Sequence, residues 1–139
     1  MLGFWIILAH LVGDYLLQTH WMAVEKTSRW WPAIAHGVTY TIPYAILMIP
    51  ALNIMGFSFW ALFIICSTHI VIDRYRLART LVWWKNQLAP KAFRPGKAEL
   101  KTTGYPAETP AWLSVWLMIL ADNTIHLLIN AVAILIFCS

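Results

Sequence analysis

Apolar residues run along this chain in long stretches separated by short polar breaks. One stretch covers Met1 to Val24 and another Ala111 to Cys138, each close to the roughly 20 residues that cross a bilayer as helix. Between them, the polar break Glu25-Lys-Thr-Ser-Arg29 precedes Trp30, Trp31 and Pro32. Aromatic residues at an interface and a proline in the first turn are the way a membrane helix opens. The pattern predicts helices over 2–24, 32–52, 57–84 and 111–137, the second bent near Pro43, where a backbone donor is missing. The third turns amphipathic after Asp73. A polar segment follows over 85–110, with Pro90, Pro95, Gly96, Gly104, Pro106 and Pro110 as turn signals. The expected fold class is therefore all-α: a polytopic membrane protein, a four-transmembrane-helix bundle with a long cytoplasmic loop between helices 3 and 4.

Composition supports that expectation. At 139 residues the chain has the size of one domain. Its hydrophobic share of 60% and nine tryptophans exceed the usage of ordinary globular domains, and its mean hydropathy is +0.65. Of the 10 Lys and Arg residues, Lys26 and Arg29 follow the first helix and the others lie between Arg74 and Lys101. With four crossings, all of them fall on one side. That distribution predicts an integral protein of the inner (cytoplasmic) membrane, with basic loops in the cytoplasm and both termini outside. The net charge of +4 then reads as topology and argues against nucleic acid as a partner. The tryptophans read as an interfacial belt, and Cys66 and Cys138 fit no metal or redox spacing.

The chemistry lies in a different pattern. The chain holds three aspartates, and each has a histidine four residues away: His10 and Asp14, His69 and Asp73, Asp122 and His126. Residues four apart share one face of a helix. Ionisable groups in so apolar a setting must face an interior and find partners. One such pair would read as a structural hydrogen bond between helices. Three pairs on three helices, with His36 near the start of a fourth, predict convergence on one region. Seven nitrogen and oxygen ligands without cysteine suit zinc, one or two ions, with manganese or iron as alternatives. The expected metal ligands are His10, Asp14, His36, His69, Asp73, Asp122 and His126. Asp14, Asp73 and Asp122 are expected to carry proton transfer. Arg76, three residues after Asp73, would share its helix face and clamp a phosphate. Gln18, Tyr40 and Asn130 extend these faces and read as helix–helix polar contacts. Lys26 and Glu25 read as a solvated loop pair.

The stretches His10-Leu-Val-Gly-Asp14-Tyr-Leu-Leu-Gln18, Ala35-His36-Gly37, Thr68-His69-Ile-Val-Ile-Asp73-Arg-Tyr-Arg76 and Asp122-Asn-Thr-Ile-His126 resemble a family of small membrane proteins of bacteriophages and bacteria, catalogued as a domain of unknown function. More distantly, the His/Asp pattern is similar to membrane-bound metal-dependent hydrolases. Through them it resembles the zinc-dependent phospholipase C and single-strand nuclease group. That resemblance implies phosphodiester hydrolysis by a zinc cluster built from the same seven residues. The chain departs from the soluble enzymes in lacking their N-terminal tryptophan ligand.

The expected function is a membrane-embedded, metal-dependent hydrolase of a phosphoester, with a phospholipid or lipid-linked phosphate as substrate and the membrane as its setting. Two alternatives stand beside it. A divalent-metal or proton transporter would need a polar path to the outer face, which the apolar ends of the helices do not offer. A non-enzymatic phage or host membrane factor would use a metal only to hold its helices together.

Overall fold

The structure is a computed structural model that describes residues 1–138. It is all-helical. In chain order the α-helices are α1 (Leu2–Leu11), α2 (His20–Glu25), α3 (Trp30–Leu47), α4 (Phe59–Tyr75), α5 (Leu77–Asn86) and α6 (Ala111–Phe137). A π-helical turn, Val12–Leu16, continues α1, and short 3-10 turns cover Pro50–Leu52, Lys91–Phe93 and Glu99–Lys101.

The expectation of four membrane crossings is overturned. Among the described residues only α6 is long and apolar enough to cross a bilayer, while Leu2–Leu16 is apolar but shorter. The crossing expected over 32–52 fails because α3 ends at Leu47 and its 18 residues include His36, Thr39, Tyr40, Thr41 and Tyr44, and the other two fail at breaks that hydropathy does not register. The run predicted over 2–24 stops at Leu17, and Thr19 turns extended (φ −78°, ψ 160°) to cap α2, accepting a hydrogen bond from the Met22 amide at 3.3 Å. The run predicted over 57–84 breaks at Arg76, which takes a left-handed conformation with φ 52°. What remains of it, α4, has 17 residues and a length of about 25 Å, short of the roughly 30 Å hydrocarbon layer. The one-sided count of basic residues depended on four crossings and loses its premise with them.

The chain divides into two compact units, Met1–Tyr75 with His126–Ser139, and Arg76–Ile125. In the first unit α3 is the element on which the others pack: α4, α1 with its π turn, and α2 all lie against it. Its core joins Ile6 and Ala9 of α1, Tyr40, Tyr44 and Leu47 of α3, Ala61 and Ile65 of α4, and Ala133 and Ile134 of α6. Two glycines set how closely these helices approach. A Cβ on Gly13 would lie 2.7 Å from the Tyr40 ring and 2.8 Å from the Tyr40 carbonyl oxygen. A Cβ on Gly37 would lie 2.2 Å from the Ile70 side chain. Each glycine neighbours a member of the predicted site, Asp14 and His36 respectively.

In the second unit the predicted polar loop is tied down onto α5. Arg79 donates to the Lys101 carbonyl at 2.8 Å, Trp83 to Gly96 at 2.7 Å, Asn86 to Gly104 at 2.9 Å and Gln87 to Pro95 at 2.9 Å. These bonds supply the loop's backbone with the partners that a regular helix would have given it. Gly104 has φ +79° and lies where a Cβ would meet the Arg79 carbonyl oxygen at 2.6 Å, so this turn requires glycine.

Candidate metal centre

Four of the predicted ligands meet in the first unit. Asp14 comes from the π turn, His36 from α3, and His69 and Asp73 from successive turns of α4. The π turn matters here. Its wider winding makes an (i, i+5) bond, from the Leu17 amide to the Val12 carbonyl at 3.0 Å, and such turns recur at functional positions. His36 and His69 are fully buried, with Asp14 and Asp73 nearly so.

One atom from each residue points at a common centre. His36 Nε2 lies 3.2 Å from Asp14 Oδ1 and 3.2 Å from Asp73 Oδ2. His69 Nε2 lies 3.5 Å from Asp14 Oδ1 and 3.3 Å from Asp73 Oδ2. The two Nε2 atoms are 2.9 Å apart, and all four donor atoms lie within 4.8 Å of one another. A tetrahedral ion bonded at about 2.0–2.1 Å sets its ligands about 3.3 Å apart, and the five separations that involve a histidine nitrogen, at 2.9–3.5 Å, lie near that value.

Proton bookkeeping leads to the same conclusion. Each Nε2 faces the other nitrogen and two acceptor-only carboxylate oxygens, yet carries at most one hydrogen. Two N–H groups cannot serve five contacts, and if both were protonated they would point at each other. A central cation lets all four atoms offer lone pairs at once. His36 Nδ1 is buried without a hydrogen-bond partner among the described residues, so its ring is oriented through Nε2 alone.

Around this set lies a ring of supporting groups. His126 Nε2 lies 3.3 Å from the second oxygen of Asp73, and its Nδ1 lies 3.2 Å from Nδ1 of His69. His10 Nε2 faces the second oxygen of Asp14 at 3.7 Å, and its Nδ1 is 2.8 Å from the Tyr40 hydroxyl. The Tyr40 ring stacks on His69 with centroids 3.6 Å apart and planes 11° from parallel. Asn130 donates to the hydroxyls of Tyr40 at 2.6 Å and Tyr44 at 2.8 Å, and Tyr44 donates to the Ile6 carbonyl at 3.2 Å. Each ligand carboxylate therefore spends one oxygen on the centre and shows the other to a histidine.

The electrostatics follow from burial opposed by these contacts. Burial works against ionised Asp73, but its contacts with His126, His36 and His69 outweigh it and hold the carboxyl well below the usual range. Asp14 behaves alike, burial being overcome by the bond to His36 and the nearby His69, so its pKa is also lowered. The two central imidazoles separate. Burial lowers His69 to about 4. In His36 the bonds to Asp14 and Asp73 overcome burial and raise the pKa.

The comparisons with known proteins add one finding. The profile of the DUF3307 family, described as proteins of unknown function, matches residues 2–94. The chain belongs to that family. All four central residues lie in the matched part, with His10, Lys26 and Tyr40, whereas Asp122 and His126 lie beyond it. Comparison with curated proteins and comparison with solved structures each returned no match, so the expected likeness to hydrolases gains nothing from them.

The seven expected ligands thus take different places. Asp14, His36, His69 and Asp73 form the centre, while His10 and His126 support it. Asp122 lies one turn before His126 on α6, half-buried, in the second unit. Arg76 departs from its expected position. The helix carrying Asp73 ends at Tyr75, and Arg76 is exposed in a left-handed turn, so the face shared at three-residue spacing is lost. Lys26 departs in the other direction. Its ammonium donates to Asp73 Oδ2 at 2.7 Å and to Gln18 Oε1 at 2.6 Å, inside the site and not in a solvated loop. The polar pair Gln18-Thr19 in an otherwise apolar run was the available signal, since it marks the break that turns α2 back toward α4.

The supporting ring gives a testable expectation. Tyr40→Phe keeps the ring stacked on His69 but removes the hydroxyl that holds His10. Thermal unfolding should show a loss of about 1–3 kcal/mol for the buried partners left unmet. Zinc affinity, read by competition with a chelating dye, should fall about tenfold.

Proposed function

We propose that the first unit holds one divalent transition-metal ion, zinc by its ligand chemistry, and uses it to hydrolyse a phosphoester. The observation that carries the metal part of this reading is the set of four donor atoms within 4.8 Å of one another, with the nitrogen–nitrogen and nitrogen–oxygen separations at 2.9–3.5 Å. Asp14, His36, His69 and Asp73 would hold the ion. A bound divalent ion polarises a phosphoryl oxygen and lowers the pKa of water, the usual requirement for this hydrolysis. Of the two carboxylates, Asp14 is the better placed to take a proton, because it is slightly more exposed and has His10 behind its second oxygen. His126 contacts Asp73 and Tyr40 stacks on His69, so both would hold those residues in place around a bound ion.

Large apolar side chains exposed on the first unit, among them Phe4, Ile42, Ile46 and Phe63, favour a substrate with acyl chains. The test is hydrolysis by the zinc-loaded protein of a panel holding a phospholipid and a water-soluble phosphodiester. Release from either, lost in Asp14→Ala while the protein stays folded, supports an enzyme. A second reading has its own observation: four protein donors complete a tetrahedron, and closed sites are characteristic of structural zinc. On that reading Asp14→Ala unfolds the protein and no substrate is cut.

Zinc affinity should also depend on pH with a definite slope. Both carboxylates stay ionised through the neutral and mildly acid range, and His69 stays neutral down to about 4. Of the four central groups, His36, with its raised pKa, is the one that takes up a proton above that point. Because protons compete with metal for the imidazole, affinity should fall about tenfold per pH unit below the His36 pKa. Zinc titrations between about pH 5 and 8 check this; a slope of two protons would contradict the separation of the two histidines.

A further inference from the structure

Lys26 stands out because it holds an atom that the metal needs. Its ammonium lies 2.7 Å from Asp73 Oδ2, the same oxygen that completes the tetrahedron with His36 and His69. The contact is not a chance of a long side chain. Lys26 closes α2, whose start is fixed by the Thr19 cap. The Arg74 guanidinium binds the carbonyls of Thr27 and Ser28, the residues immediately after Lys26. The lysine and the aspartate are thus tied together from both sides. Gln18 Oε1 offers the ammonium a second acceptor at 2.6 Å.

We propose that Lys26 is a displaceable counter-cation: it holds the Asp73 ligand oxygen until a metal ion takes it, then presents its ammonium to the anionic group of a singly charged phosphodiester. The proposal rests on the metal reading above and names the substrate class for it. An oxygen coordinated by a divalent ion has less charge to offer an ammonium beside it, so ion and lysine compete. Once the ion is held, its charge cancels those of Asp14 and Asp73, with the histidines neutral. The ammonium's single positive charge is left over on the partly exposed side of the site. A phosphodiester monoanion neutralises that charge, whereas a phosphomonoester dianion overshoots it. By linkage, an anion that receives the displaced lysine must tighten metal binding, and metal must tighten anion binding by the same factor.

The experiment is a zinc titration of the full chain against a chelating dye, with and without diethyl phosphate as a diester that need not be cut. Lys26→Met should bind zinc roughly tenfold more tightly than the unaltered protein when no anion is present, within the range of ordinary coupling. Diethyl phosphate should tighten zinc binding roughly fivefold or more in the unaltered protein and leave Lys26→Met unchanged. Should Lys26→Met fail to fold, Gln18→Leu carries the test. It removes the displaced ammonium's other acceptor, so zinc should bind more weakly and the effect of diethyl phosphate should grow. Equal or weaker zinc binding by a folded Lys26→Met, or an anion effect that survives it, overturns the role of Lys26 while leaving the metal centre standing. No zinc binding by any variant overturns both.

Discussion

Asparagine in place of Asp73 should abolish the proposed zinc binding. Asp73 is the most connected member of the centre, touching His36, His69, His126 and Lys26 at 2.7–3.3 Å. The change preserves shape but removes the negative charge and turns one terminal oxygen into a donor. Zinc affinity should fall by at least about 100-fold, beyond what the loss of a merely supporting partner costs. The metal-free protein should lose about 3 kcal/mol, the low end for breaking a buried ion pair, because the Lys26 side chain keeps some exposure. Dye competition measures the first effect and denaturant unfolding without metal the second. Retained zinc binding by the asparagine variant would mean that Asp73 is only scaffolding.

The second large effect is expected at a residue that touches no metal. Gly13→Ala places a Cβ 2.8 Å from the Tyr40 carbonyl oxygen and 3.1 Å from its Cα, where ordinary contact begins at 3.4 Å. Backbone cannot rotate away, so the π turn and α3 must part by about 0.6 Å, several times the roughly 0.2 Å tolerance of a metal–ligand distance. Asp14 is the next residue and moves with it. Overpacking costs about 1–3 kcal/mol, against at most about 1 kcal/mol gained from the better helix propensity of alanine. Net stability should fall modestly and zinc affinity about tenfold or more. Gly37→Ala is a second probe. Its new Cβ lies 2.2 Å from Cγ1 of Ile70, the inner branch of a stiff β-branched side chain, and 3.4 Å from the Cys66 carbonyl oxygen, so α3 and α4 must also part there and zinc affinity should fall about tenfold or more. Unchanged affinity in both variants would contradict this account of how the helices position the centre.

Much of the centre was legible in the sequence because it is written in a local code. A histidine and an aspartate four apart share a helix face wherever that helix goes, so His69 and Asp73 were identifiable as a pair before any tertiary contact was known. Apolar surroundings then implied partners. The division of labour was not legible, because helix periodicity gives direction and not depth. His10 and His126 have the same spacing to an aspartate as His69, yet lie one layer out, where they meet the carboxylate oxygens the centre does not use. The number of crossings failed for a different reason. Hydropathy averages over a window and cannot detect a break made by one residue. Thr19 in an extended conformation and Arg76 in a left-handed one each end a helix without altering the apolar content around it. The same breaks account for both misplaced cations. The first brings Lys26 into the site, and the second ends the helix that would have given Arg76 a face in common with Asp73.

The central claim is that Asp14, His36, His69 and Asp73 grip a single ion between them. X-ray absorption at the zinc edge, on protein loaded with one equivalent, tests it most directly. The account predicts about four nitrogen and oxygen neighbours at about 2.0 Å, including the outer-ring scattering of two imidazoles and no sulfur. A sulfur shell, a single imidazole, or zinc that leaves with the first wash would contradict it.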